Sequence, residues 1–266
     1  VADEPNKEKK KARRKSGSVL MYGPSGVGKT TSACHMFKKS FVLLSEPDGL
    51  ASVEANLGFM PDHHVLKDLD DPYAEARGVI VKKVRKRMIS GQYSCCILDT
   101  GSELASRIFA ALQLSENVVD GRKLYPKVEM LFHDLVRRLQ VLPGWFVMIC
   151  HEDAPKAIEG DYLKGGPRFP GRGLTASTPP MFSLVLRADW DHTGEEMRRC
   201  FYCDENDVDW TTKDRYGVSY RVQDMDLRPM ILRHMYPGRP LPEMKPKPVL
   251  HPEGYEDQRA EEGAEI

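Results

Sequence analysis

The sequence predicts an α/β fold: a mainly parallel sheet with helices on both faces, and antiparallel strands toward its C-terminal end. Three observations carry this expectation. Apolar runs of strand length alternate with helix-length segments through most of the chain. The runs at 94–99 and 145–150 have the composition of strands buried on both faces. The first apolar run is followed at once by a glycine-rich turn and a helical segment, the beginning of a strand–turn–helix unit.

The elements follow in order. Residues 18–22 form a short apolar strand, and 29–39 suit a helix. A second strand at 41–45 closes on Pro47-Asp48-Gly49, a turn-forming triplet. Residues 73–90 have helical composition, weakened early by Gly78. The strand at 94–99 precedes a helix with Leu104, Ile108 and Leu112 on one face. Between 127 and 142 apolar residues fall at 128, 131, 132, 135, 139 and 142, a helical stripe opposed by Glu129, Asp134, Arg137 and Arg138. Pro143-Gly144 ends that helix, and 145–150 is the next strand. Residues 182–188 and 198–202 continue as strands. Residues 152–181, rich in Gly and Pro, are expected as one long functional loop.

At 266 residues and 41% hydrophobic content the chain has ample length for a core, which excludes a collagen-like or wholly disordered chain. No apolar run approaches the ~20 residues that span a bilayer, so no membrane partner is expected. The basic start is followed by too few apolar residues for a signal peptide. Six cysteines, several beside apolar segments, point to reduced thiols and a cytoplasmic protein. The formal net charge of zero is an average: 1–16 carries +4, 253–266 carries −5, and the part between carries +1. The expected organisation is a flexible basic arm at 1–16, a folded body at 17–236 and a Pro-rich acidic tail at 237–266. A balanced total therefore does not exclude a polyanion as partner.

Gly23-Pro24-Ser25-Gly26-Val27-Gly28-Lys29-Thr30 matches G-x-x-x-x-G-K-[ST] in full, directly after a strand and opening a helix. Glycines let successive backbone N–H groups turn inward on phosphate oxygens, and the helix N-terminus adds partial positive charge. Lys29 places an ammonium on the β- and γ-phosphates, Thr30 offers its hydroxyl to Mg2+, and Thr31 extends the cradle. These features make ATP and Mg2+ the expected cofactors. Asp99, ending the apolar strand 95–98, is the expected second metal-side carboxylate. Its neighbour is Thr100, so the group that activates water is sought elsewhere. Glu46 stands at the end of the second strand, where the carboxyl ends of parallel strands gather at a ligand crevice. The plain alternative is a turn glutamate, with Glu103 as the reserve candidate. His151 closes another strand and is either a γ-phosphate sensor or simply a strand cap.

With these residues in hand, the chain resembles the RecA/DnaB superfamily of ring- or filament-forming P-loop ATPases. The shared features are the Glu after the second strand and the stretch Trp210-Thr211-Thr212-Lys213-Asp214-Arg215-Tyr216-Gly217, which is similar to the Lys-x-Arg element of DnaB-type and KaiC-type cores. The resemblance implies a RecA-like core and a homo-oligomer in which Lys213 and Arg215 reach a neighbour's γ-phosphate; two exposed hairpin charges are the alternative. The spacing from Lys29 to Glu46, His151-Glu152 and the Pro-Gly-rich stretch around 167–174 are most like the phage Sak-group (fourth type) RecA-like ATPases of single-strand annealing. That group implies a DNA-stimulated ATPase acting on single-stranded DNA in recombination or replication, with a single-strand-binding or annealing protein as a possible partner. A hexameric helicase motor and a nucleotide-gated scaffold with little turnover stand as alternatives. The arm and tail are not part of the family pattern.

Under this resemblance the 152–181 loop takes the place of a DNA-contacting loop. Lys156, Lys164, Arg168 and Arg172 would track phosphates there, and Phe169 would stack on a base. The basic run Lys82, Lys83, Arg85, Lys86 and Arg87 reads as a solvated helix face or an intersubunit patch. Cys200 and Cys203 lack a second ligand pair nearby and read as strand thiols rather than a zinc site.

Overall fold

The computed structural model of the chain describes residues 16–158, 161–192, 197–204, 206–215, 217 and 222–235. The basic arm up to residue 15 and the Pro-rich acidic tail lie outside the described residues. The elements are β1 (Gly17–Tyr22), α1 (Lys29–Met36), β2 (Ser40–Leu44), α2 (Ala51–Leu57), β3 (Asp62–Val65), α3 (Pro72–Val79), α4 (Arg85–Ile89), β4 (Cys95–Asp99), α5 (Gly101–Ser115), α6 (Tyr125–Gln140) and β5 (Trp145–Cys150). They continue as β6 (Glu152–Asp153), β7 (Lys156–Ile158), β8 (Asp161–Leu163), β9 (Gly166–Pro167), α7 (Arg172–Ser177), β10 (Leu184–Asp191), β11 (Arg198–Tyr202), β12 (Lys213–Asp214), β13 (Val222–Asp224) and α8 (Leu227–Met235).

The main sheet runs β13-β11-β10-β1-β5-β4-β2-β3, with β12 added against β10. From β10 to β3 every pairing is parallel. Strands β11 and β12 run antiparallel to β10, and β13 antiparallel to β11. This is the α/β arrangement expected of a RecA-like core, antiparallel only toward the C-terminal end. The period-2 alternation of the strands divides the core in two. Leu20, Tyr22, Phe41, Leu43, Cys96, Leu98, Phe146 and Met148 pack under α3 to α6. Val19, Met21, Val42, Leu44, Cys95, Ile97, Val147 and Ile149 pack under α1, α2 and α8. Because both faces are covered, these strands are apolar at consecutive positions, which is why they were legible as buried.

Of the stripe expected over 127–142, Val128, Phe132, Leu135, Leu139 and Leu142 are buried and Leu131 is half-buried, and Val136 joins them. The first helix ends at Met36 rather than 39, and Phe37 leaves it to bury its ring against Trp145. The helix expected over 73–90 contains a π-helical turn, Ile80–Val84, between α3 and α4. The wider turn keeps Val84 and Met88 on the side already buried by Ala76, Val79 and Ile80. Among the elements outside the 152–181 stretch, α2, β3, β13 and α8 escaped the sequence reading. α2 and α8 are short, and β3 is an edge strand of polar composition (Asp62, His63, His64, Val65), whose outer rim needs no apolar cover.

The stretch 152–181 is not one long loop. β6 pairs with β9, β7 with β8, and α7 and a 3-10 turn at Pro179–Met181 follow. Backbone groups lying this close to a core need partners, and short ladders supply them while Gly and Pro end each one. Phe169 belongs to that anchoring. It is buried among core residues, with its ring edge-on to Phe132 at 5.3 Å between centroids.

Phe132 is fully buried where α6, the sheet and the 152–181 segment meet. Phe132→Ala should therefore destabilise the fold by ~3–5 kcal/mol, read by urea unfolding. A loss below about 1 kcal/mol would mean the segment carrying Phe169 is not packed on α6.

Candidate nucleotide site

Strand β1 leaves the sheet at Gly23, with φ +152; a Cβ there would meet the Ala188 carbonyl oxygen at 2.1 Å. Only glycine permits that approach, and it sends the chain across the carboxyl edge of the sheet. Pro24 to Gly26 stay at the surface, Val27 plugs the loop into the core, and Gly28 turns at φ +99 into α1. Ser32 N–H donates to Gly28 O at 2.9 Å, so the helix begins at once. The N–H groups of its first turn are left for an anion.

Lys29 is buried, and its ammonium donates to Gly23 O at 2.8 Å and Pro24 O at 2.7 Å. Burial lowers its pKa, and the carboxylates of Asp99, Glu152 and Glu46 pull the other way. Thr30 Oγ1 donates to Asp99 Oδ2 at 2.7 Å. Asp99 is itself buried, and desolvation pushes its carboxyl up to about 6. Thr31 Oγ1 reaches Ser52 Oγ of α2 at 3.4 Å.

Three strand ends converge beside this pair. After β2, Ser45 N–H donates to Asp99 O at 2.7 Å, and its hydroxyl to Thr100 O at 2.9 Å. That fixes the turn carrying Glu46 beside the end of β4. After β5, His151 N–H donates to Ser102 Oγ at 3.0 Å, and its Nε2 lies 3.3 Å from Glu46 Oε1. Glu46 and His151, 105 residues apart, thus meet at the edge where Lys29, Thr30 and Asp99 stand. Glu103, the reserve candidate, is held by Arg107 at 3.0 Å. Thr100 Oγ1 caps its helix by accepting from Glu103 N–H at 3.1 Å.

Lys213 and Arg215 are elsewhere. Lys213 is register partner of Val185, and Arg215 N–H donates to Ser183 O. β10 meets the end of β1 at Arg187, beside the phosphate loop. At ~3.3 Å per residue, Arg215 therefore sits roughly 13 Å down the strand, toward the opposite edge of the sheet. Lys213 Nζ donates to Pro180 O at 2.9 Å. Neither cation is presented to its own chain's phosphate loop.

The loop cations are spread out. Lys156 and Lys164 belong to the β7–β8 hairpin and its exit, and Lys164 Nζ donates to Asp207 O. Arg172 opens α7 and is exposed. Arg168 N–H donates to His151 O, and Arg168 lines a cleft with Ser102, Glu103, Ser106, His151 and Phe169. The expected stacking role of Phe169 is corrected by its burial: its ring faces Phe132, not solvent. Cys200 and Cys203 are both buried.

The sequence reading missed a cluster beside the site. Arg187, the β10 residue in register with Tyr22, lies over the Trp210 ring at 3.6 Å and meets Glu152 at 3.5 Å and Asp189. Burial raises the Glu152 pKa, opposed by Arg187. No local motif marks these residues, because the strand order alone makes them neighbours.

A buried carboxylate with a raised pKa, hydrogen-bonded to a hydroxyl at a helix N-terminus, is a hard-oxygen pair suited to Mg2+, so the residues present fit that ion. Strand, glycine loop, buried lysine and Thr–Asp pair together define a P-loop nucleotide-binding domain. Residues 15–216 match the AAA_24 family, an AAA domain, and the chain belongs to that family. No curated protein matches the sequence. Among solved structures it is similar to the crystal structure of a KaiC-like protein from the hyperthermophilic archaeon Pyrococcus horikoshii OT3. That alignment has 14% identity and a TM-score of 0.41, over 74% of this chain and 82% of that chain. Among the described residues, no helix is long and apolar enough to cross a membrane.

Asp99 supplies a test. Its folded pKa of about 6 lies above the ordinary 3.8, so its contribution favours the fold at low pH and is lost as pH rises through 6. Without nucleotide at pH 7.5, Asp99→Asn should melt at a higher temperature than wild type, with the difference shrinking toward pH 5. The same variant should lose most of the melting-temperature rise that Mg-ATP gives wild type. A variant less stable at pH 7.5, or one with the full Mg-ATP shift, would contradict the assignment.

Proposed function

We propose that this protein is a Mg-dependent ATPase with a RecA-like core that acts on single-stranded DNA as a homo-oligomer, in phage-type recombination, annealing or replication. The observation that carries the reading is the meeting of Glu46 and His151 at the edge where Lys29 and the Thr30–Asp99 pair stand. The glycine loop and Lys29 bind the β- and γ-phosphates, and Thr30 and Asp99 hold the ion, which neutralises phosphate charge when bound. Glu46, more exposed than Asp99, accepts the proton of the attacking water. His151, within hydrogen-bond reach of Glu46, registers the γ-phosphate and is continuous with Arg168 through the Arg168 N–H to His151 O bond. The distance of Lys213 and Arg215 from their own phosphate loop supports their action on a neighbour's nucleotide. DNA contact falls to Lys156, Lys164, Arg168 and Arg172, with Phe169 anchoring the segment from the core.

ATP hydrolysis measured with and without single-stranded DNA tests this. Wild type should hydrolyse ATP, faster with DNA, and the stimulation should fade as salt rises. Lys29→Ala should abolish nucleotide binding. Glu46→Gln should bind ATP but lose about 10²–10⁴-fold in turnover. Arg215→Ala should also bind and not turn over, and mixing it with Glu46→Gln should restore part of the activity, since each supplies what the other lacks. No DNA stimulation would remove the DNA reading, and full activity of Arg215→Ala would remove the action in trans.

A further inference from the structure

Neighbouring arginines on β11 have different fates. Arg198 pairs with Asp191 at 3.0 Å and Asp224 at 3.5 Å. Arg199, the next residue and so on the other face of the strand, has no carboxylate partner among the described residues. The acids closest to it along β10 are already engaged, Asp189 by Arg187 and Asp191 by Arg198. Its guanidinium instead lies 4.9 Å from the ring centroid of Trp190, its register partner across the β10–β11 ladder.

The same guanidinium rests against the phosphate loop. A Cβ on Gly28 would lie 3.2 Å from Arg199 Nη1 and 3.8 Å from its Cδ. Gly28 immediately precedes Lys29 and is part of the turn whose N–H groups face an anion. A cation this close to it lies within one side-chain rotation of any phosphate the loop holds. The guanidinium carbon sits over the Trp190 ring, a contact that satisfies none of its N–H donors. With no carboxylate partner among the described residues, this exposed arginine has an unmet preference for negative charge.

We propose that Arg199 is a phosphate-binding residue of this nucleotide site, supplied by the same chain from β11 and held in reach by Trp190. The inference deepens the nucleotide reading above and rests on it. Arg199 donates to the polyphosphate from the side of the loop opposite the Glu46–His151 edge, adding a planar, two-pronged donor to the point charge of Lys29. It differs in kind from Lys213 and Arg215, which lie far from their own loop. It also ties the antiparallel part of the sheet to nucleotide occupancy.

The test compares wild type, Arg199→Ala and Arg199→Gln, the last keeping an aliphatic stem over Trp190. ATP and inorganic tripolyphosphate are each titrated as competitors of a fluorescent ADP analogue, and melting curves confirm folding. A lost charge-assisted hydrogen bond should weaken both competitors about tenfold or more in both variants, with Arg199→Lys recovering part. Equal affinities in wild type and both variants overturn the inference while leaving the nucleotide reading intact. Loss for ATP but none for tripolyphosphate also overturns it, since the arginine would then be holding the base. Wild type that binds neither competitor overturns the nucleotide reading and this inference with it.

Discussion

The hydrogen bond from Thr30 Oγ1 to Asp99 Oδ2 spans a gap that nothing local could close. The two residues belong to units starting from β1 and β4, and β5 lies between those strands. Their meeting requires all three strands to be parallel, in register, and to end at one edge. The register supplies this: Tyr22 stands beside Cys150, and Asp99 beside Ile149. Inserting β5 between them also brings His151 to the same edge, and placing β2 beside β4 brings Glu46. A change that shifted any of these strands by one residue would exchange its two faces and scatter the site.

That edge holds opposite charges under electrostatic tension. Burial lowers the pKa of Lys29 and raises that of Asp99, so desolvation works against the charged form of each. The ammonium answers by donating to two carbonyls of its own loop, and the carboxylate by accepting from Thr30. Bound polyphosphate would satisfy the lysine and a divalent cation the aspartate. The groups placed to hold ligand are thus groups whose burial carries a desolvation cost.

A second junction links this edge to the far part of the chain. Arg187 lies between the Trp210 ring and the Glu152 and Asp189 carboxylates, and Tyr22 Oη donates to Thr211 O at 2.9 Å. Residues 210 and 211 are therefore fastened to the end of β1, where the phosphate loop starts, while Lys213 and Arg215 run away along β10. One short segment connects the chain's own nucleotide edge to the cations that point elsewhere. The contact of Glu152 with Arg187 is one of charge rather than a formed hydrogen bond, since Glu152 Oε2 and Arg187 Nε are buried without hydrogen-bond partners.

By itself the sequence determined the parts whose chemistry is local. Gly23 to Thr31 could be read because a phosphate loop is a single continuous turn whose glycines, lysine and hydroxyl have fixed spacing. The buried strands and the α6 stripe could be read because burial on one or both faces imposes a period on consecutive residues. Asp99 and Glu46 were found as ends of such strands, which is a positional inference from the parallel fold. What failed had no local signature. β3 is polar because it is an edge, the 152–181 segment is structured by short ladders too brief for a period, and Phe169 serves as an anchor because Phe132 lies opposite it. The Glu46–His151 contact, the Arg187 cage and the placing of Arg199 against Gly28 were decided only by the tertiary structure. Each joins residues from strands whose order in the sheet differs from their order in the chain, and strand order is set by which faces bury together, a property no window of sequence contains.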